Sequence, residues 1–198
     1  AASTRVNIGA FKDRIEKVKE EMTGAEARRA NKVLLDLEEG AGAYQKSELP
    51  PLNSYNAKSA VENGALLTDT IATWVKKGFV AGPFDTPPMA GFRANPLAAV
   101  VRNGKVRPIL NMSGPKGKSF NDNVNKSKLE RLHMGTAKQF GSALLDAGQN
   151  AVFSKFDLQD AYKLIPAKVK DYRLQGFCWL GKYFVETQQG FGGVPSPS

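Results

Sequence analysis

With 198 residues the chain is long enough for one domain with a full core and a helical extension. Twenty-eight Lys and Arg against 19 Asp and Glu leave a net charge of +9, which favours an anionic partner. Nucleic acid is preferred over a membrane surface, because neither a basic amphipathic anchor nor a long apolar run is present. One cysteine, Cys178, excludes a disulfide within these residues, and one histidine, His133, leaves zinc and a histidine-based triad short of ligands. Ala1–Arg5 lacks the apolar stretch of a secretory signal, which together with the cysteine usage implies an intracellular chain, in cytoplasm or nucleus.

In chain order, Phe11, Ile15, Val18 and Met22 recur at helical spacing, and Thr23-Gly24-Ala25-Glu26 matches a capping box that starts a second helix running to Glu39. Gly40-Ala41-Gly42 ends it. Residues 43–57, with Pro50-Pro51 and Asn53, read as loop. Thr68 to Gly78 reads as a short helix with Thr68 as its cap, lysines in the last turn and Gly78 as terminator. A Pro-rich extended stretch follows. Leu97–Arg102 and Lys105–Met112 flank Asn103-Gly104, the strongest two-residue hairpin signal. A helix is expected within 134–148, closed by Gly148. Two strands near 172–179 and 182–187 meet at Leu180-Gly181. Hairpins outnumber parallel βαβ units, so the fold class is α+β.

Two constellations carry chemistry. In the hairpin, Lys105 and Arg107 share one face at period two and Arg102 lies across the turn. Three cations on a two-stranded finger suit a triphosphate, with Arg as a planar fork and Lys as a point charge. Surface cations also blunt sheet edges against aggregation, and that alternative stays open here. The second is Ala151–Phe156 followed by Asp157-Leu158-Gln159-Asp160-Ala161-Tyr162-Lys163-Leu164-Ile165-Pro166. Val152, Phe156 and Leu158 alternate to one face, so a strand delivers Asp157 to its end. A carboxylate there can hold a hard cation such as Mg²⁺, although a strand-end Asp also forms turns and helix caps.

This second segment resembles motif A of the reverse transcriptases. Trp74–Val80, Asn95-Pro96-Leu97 and Val106–Asn111 are similar to the fingers of a retroelement reverse transcriptase, with Asn111 standing where an Asp is usual. Gln188-Gln189-Gly190-Phe191-Gly192-Gly193-Val194-Pro195-Ser196-Pro197 resembles motif B. The flavour is nearest to tyrosine-recombinase and long-terminal-repeat retrotransposons, over roughly residues 66–198.

The resemblance implies fingers and a partial palm of a right-hand polymerase in 66–198, with a helical N-terminal extension and loop in 1–65. It implies that Asp157, with the Leu158 carbonyl, ligates Mg²⁺ as the catalytic group. Arg107 meets the base and phosphate of a deoxynucleoside triphosphate (dNTP), and Lys105 and Arg102 its outer phosphates. Gln189 and Gly190 border the nucleotide, and Tyr162 lies under the sugar, where a 2′-hydroxyl would collide. The partners implied are an RNA template or RNA/DNA hybrid, a dNTP and further protein subunits of a larger assembly, with no membrane. The implied chemistry is two-metal nucleotidyl transfer. No Asp-Asp pair occurs in the sequence, so a chain inactive by itself is expected. A non-catalytic relic that binds nucleic acid or serves as a structural subunit is the alternative.

Overall fold

Helix α1 (Ile8–Val18) is capped by the Asn7 side chain, which accepts from the Ala10 N–H, and leads through a 3-10 turn into α2 (Gly24–Glu39). The Thr23–Glu26 capping box forms in both directions, as the spacing predicts. A Lys12–Glu38 ion pair at 2.6 Å lies across the two helices. The computed structural model describes residues 4–129, 135–158, 160–190 and 192–193. His133 and residues 194–198 of the motif-B-like loop lie outside them.

The remaining elements are β1 (Leu52–Asn53), α3 (Lys58–Glu62), α4 (Gly64–Lys76), β2 (Val80–Phe84), β3 (Arg93–Ala94), β4 (Leu97–Arg102), β5 (Lys105–Leu110), α5 (Ala137–Ala147), β6 (Gly176–Trp179) and β7 (Lys182–Glu186). A five-stranded mixed sheet has the order β1-β3-β6-β7-β2, and β4-β5 form a separate two-stranded sheet. The architecture is mixed α and β, in agreement with the expected α+β class.

Three sequence expectations need correction. Helix α4 starts at Gly64, so Thr68 is not its cap: its hydroxyl donates to the Gly64 carbonyl at 2.8 Å and accepts from Trp179 Nε1 at 2.9 Å. Residues 80–84 form a strand despite Pro83, because β2 is the sheet edge and its pairing with β7 is irregular between Ala81 and Phe84. An edge or bulge is where a missing N–H costs least. Residues 151–158 form no strand, although the alternation predicts one. Val152 is 94% and Phe156 90% exposed, and no strand pairs with the segment among the described residues. Alternation supplies side-chain faces, but a strand needs a partner for its backbone groups.

The main core joins Leu67 and Ile71 of α4 to Val80, Leu97, Leu110, Phe177, Trp179 and Phe184, so the helix packs on the sheet and on the root of the hairpin together. Backbone hydrogen bonds cross the expected boundary at 65/66: Leu52 N–H donates to Phe92 O, Ser54 to Ala94 O and Ala57 to Leu97 O.

Two buried polar side chains organise the exit from the sheet. Arg93, 1% exposed, donates to the carbonyls of Pro50 at 2.5 Å and Lys118 at 2.8 Å, stapling two loops. Burial and the nearby Arg173 guanidinium lower its pKa. Asn95 is fully buried, and its Nδ2 donates to the carbonyls of Leu174, Gly176 and Arg93 at 2.8–3.2 Å. Three converging acceptors fix the orientation of that amide. Replacing Asn95 with Ala removes this donor from the buried Leu174 and Arg93 carbonyls, while Gly176 O keeps the backbone N–H of residue 95, so urea unfolding of Asn95→Ala should show a loss of about 2 kcal/mol.

Candidate functional site

Hairpin β4-β5 is regular, with Leu97 opposite Leu110, Val100 opposite Arg107 and Arg102 opposite Lys105. Asn103 and Gly104, both at positive φ, make the turn that the dipeptide predicts. The root is buried at Leu97, Ala99, Pro108 and Leu110, and the outer half, including all three cations, is exposed. Like charges directly opposite one another destabilise a ladder. Arg102 and Lys105 occupy such a pair, and among the described residues neither their side chains nor that of Arg107 has an ion-pair or hydrogen-bond partner.

The hairpin root meets the motif-B-like loop. Asn121 Nδ2 donates to the Gly192 carbonyl at 2.7 Å and to Ser113 Oγ at 2.8 Å. Gly192, at φ +103°, lies so close to the Leu110 carbonyl that a Cβ there would collide with it. Met112, Phe120, Gln175 and Gln189 line one crevice with Ala41 and Gly193. The turn that returns from the hairpin is held by Asp122, which accepts from the Gly117 and Ser119 N–H groups and from the Ser119 hydroxyl. The Ser119 hydroxyl, with these N–H groups and Lys116, holds the Asp122 carboxyl below its usual pKa.

The segment after Asp157 is tied to the same loop. Tyr162 is half-buried in a short 3-10 turn, Ala161–Leu164. Just beyond it, Gln189 N–H donates to Ile165 O at 2.9 Å and Ala167 N–H to Thr187 O at 3.0 Å. On the other side Ala41 N–H donates to Pro166 O at 2.7 Å, and Gln189 Nε2 to Ala41 O at 3.4 Å. Gly190 N–H donates to Gln175 Oε1 at 3.3 Å. The segment Ile165–Ala167, directly after the turn that carries Tyr162, therefore belongs with Gln189 and Gly190 to one hydrogen-bonded unit, and the loop after α2 is part of it.

Asp157 and Leu158 are placed differently. Both are exposed in the unpaired segment, and Asp157 makes no hydrogen bond or ion pair among the described residues. Its acidic neighbour Asp160, at φ +53°, forms a surface pair with Lys77 at 3.3 Å. No three His, Cys, Asp or Glu side chains among the described residues come together to hold a metal ion. By themselves the Asp157 carboxylate and the Leu158 carbonyl offer fewer oxygen ligands than a two-metal site requires.

Sequence reasoning named Asn95 and Lys163 only as members of motifs and missed the buried amide of Asn95, the buried Arg93 and the buried pair of Lys163 with Glu186. A usable signal existed for the pair. Lys163 interrupts Tyr-Lys-Leu-Ile and Glu186 ends Tyr-Phe-Val-Glu, and an ionised residue inside an apolar run is buried only with a partner.

No family model matches the sequence, and no curated protein matches it. Solved structures do. Foamy viral protease-reverse transcriptase in complex with RNA/DNA hybrid aligns over 100% of this chain with a TM-score of 0.52 and 16% identity. The prototype foamy virus protease-reverse transcriptase aligns at 0.50 and 16% both as the CSH mutant, over 100% of the chain, and as the native protein, over 99%. The fold is distantly reverse-transcriptase-like. This chain spans 26% of each of those polypeptides.

An Asp that caps or closes a turn would cost stability when its side chain is truncated; an exposed carboxylate without partners should not. Asp157→Ala should leave the free energy of urea unfolding within about 0.5 kcal/mol of the parent. A loss above roughly 1 kcal/mol would assign Asp157 an ordinary structural role.

Proposed function

We propose that this chain is the fingers and part of the palm of a reverse-transcriptase-type polymerase, gripping a primer–template and a dNTP. The observation that carries this reading is the hairpin, whose tip bears three exposed cations with no acidic partner among the described residues and whose root at Leu110 packs against Gly192. A cationic cluster kept without internal acids favours an anionic ligand. The distant fold likeness, to a protein solved with an RNA/DNA hybrid, supports the same ligand class.

In this reading Arg107 meets the base and phosphate of the nucleotide, and Arg102 and Lys105 its outer phosphates. Tyr162 stands against a 2′-hydroxyl, and Gln189 and Gly190 form the pocket wall. Asp157 and the Leu158 carbonyl contribute oxygen ligands to Mg²⁺ arriving with the triphosphate. The two-metal transfer step is not assigned to this chain by itself, because Asp157 is the single carboxylate offered at that point. The exposed apolar side chains of Leu145, Val152, Phe153 and Phe156 favour a second reading, in which the chain is a nucleic-acid-binding or structural subunit covered there by another polypeptide.

Fluorescence anisotropy on an RNA/DNA hybrid separates these readings. Binding should weaken steeply with salt, and the triple Ala variant of Arg102, Lys105 and Arg107 should flatten the slope of log K against log salt by about 2 to 3. Arg107→Ala should also weaken dNTP binding by roughly tenfold or more. Indifference to the hybrid would favour the structural subunit. Hybrid binding with no dNTP binding would favour the relic.

A further inference from the structure

Lys163 and Glu186 form an ion pair that neither the fold nor the proposed ligand contacts require. Their side chains are 2% and 3% exposed, and Nζ lies 3.1 Å from Oε2 and 4.6 Å from the centre of the Trp74 ring. Removing two charges from water costs free energy that their attraction only partly returns, and apolar residues of equal volume often serve stability as well or better. Stability therefore gives no reason for the pair.

Its position does. Lys163 closes the turn that carries Tyr162, its N–H donating to Asp160 O at 2.7 Å. Glu186 ends β7 immediately before the motif-B-like loop, and a Cβ on Gly190 would collide with its carboxylate. One charge thus stands under the Tyr162 turn and the other against Gly190. Apolar side chains tolerate sliding past one another. Two buried charges do not, since any displacement that separates them leaves each one desolvated and uncompensated.

We propose that the Lys163–Glu186 pair is a positioning element that fixes the Tyr162 turn against Gln189 and Gly190. Its functional meaning, alignment of the nucleotide's sugar between the two, rests on the reading above; its geometric claim does not.

Amide hydrogen exchange on the full chain tests the geometric claim. In Lys163→Met/Glu186→Met the thermal midpoint should stay within about 3 °C of the parent. The amides of Lys163, Ala167, Gln189 and Gly190 should nonetheless exchange about tenfold faster or more, while that of Asn95 keeps its protection. Lys163→Arg in the parent, which keeps the charge opposite Glu186, should show parental exchange at all four. Unchanged exchange at the four amides overturns the proposal. Uniform acceleration that includes Asn95 also overturns it, because the pair would then be merely structural. Should the double variant fail to fold, Glu186→Gln keeps the volume and removes the charge; parental exchange at Gln189 and Gly190 in that variant overturns the proposal equally. A dNTP titration of the parent is read separately: no binding there removes the nucleotide reading and leaves the exchange result intact.

Discussion

The side-chain amide of Asn95 is the interaction on which the candidate site depends. At Ala94 the chain is the second strand of a buried sheet, and at Leu97 it enters a hairpin that belongs to another sheet. Leaving a sheet deprives backbone carbonyls of ladder partners. Here the Asn95 side-chain amide reaches the carbonyls of Leu174, Arg93 and Gly176, the last of which also accepts the Asn95 backbone N–H, and Pro96 follows where no N–H is needed. Arg93, two residues earlier, does the same for the loops on either side. The direction in which the cationic finger projects is thus set by buried polar groups of neighbouring residues, with α4 packed beneath its root.

Electrostatics then separates scaffold from ligand site. Some cations elsewhere are matched, Lys12 by Glu38, Lys182 by Asp85, Lys77 by Asp160 and Lys163 by Glu186 in the interior, while others such as Lys17, Lys126 and Lys128 have no ion pair among the described residues. The hairpin tip is set apart by placing two cations, Arg102 and Lys105, directly opposite one another with Arg107 close by. Exposed pairs contribute at most about 1 kcal/mol each, so their absence costs the fold little. For a polyphosphate the consequence is large, because several fixed cations act on several charges at once. Leu110 and Asn121 tie the root of the finger to Gly192 of the motif-B-like loop.

What the sequence revealed follows from how local each signal is. The hairpin is encoded by Asn103-Gly104 and by alternation, and the start of α2 by four adjacent residues; both are complete within a dozen positions. The start of α4 was misplaced because Thr68 looks like a cap, whereas its hydroxyl serves Trp179 from more than a hundred positions away. Strand β2 was hidden by Gly82-Pro83, which only an edge position tolerates, and edge status is a property of the whole sheet. Residues 151–158 show the reverse error. Their alternation is real, and the partner that would make a strand of it is not among the described residues. Of the candidate site, the hairpin cations and the Gln189-Gly190 turn were legible as residue types in order. Their attachment through Asn121 and Leu110, and the Lys163–Glu186 pair beneath Tyr162, depend on long-range packing that no window of sequence contains.

The central proposal is that one nucleoside triphosphate lies between the finger cations, which meet its phosphates, and the motif-B-like loop, which walls its pocket. The most direct measurement is an NMR titration of the isotope-labelled chain with a dNTP and Mg²⁺, observing backbone amides and Arg side chains together. The account predicts saturable shifts at Arg102, Lys105 and Arg107 with the same dissociation constant as shifts at Gln189 and Gly190. Shifts confined to one of the two groups, or falling instead on the basic faces of α1 and α2, would contradict it.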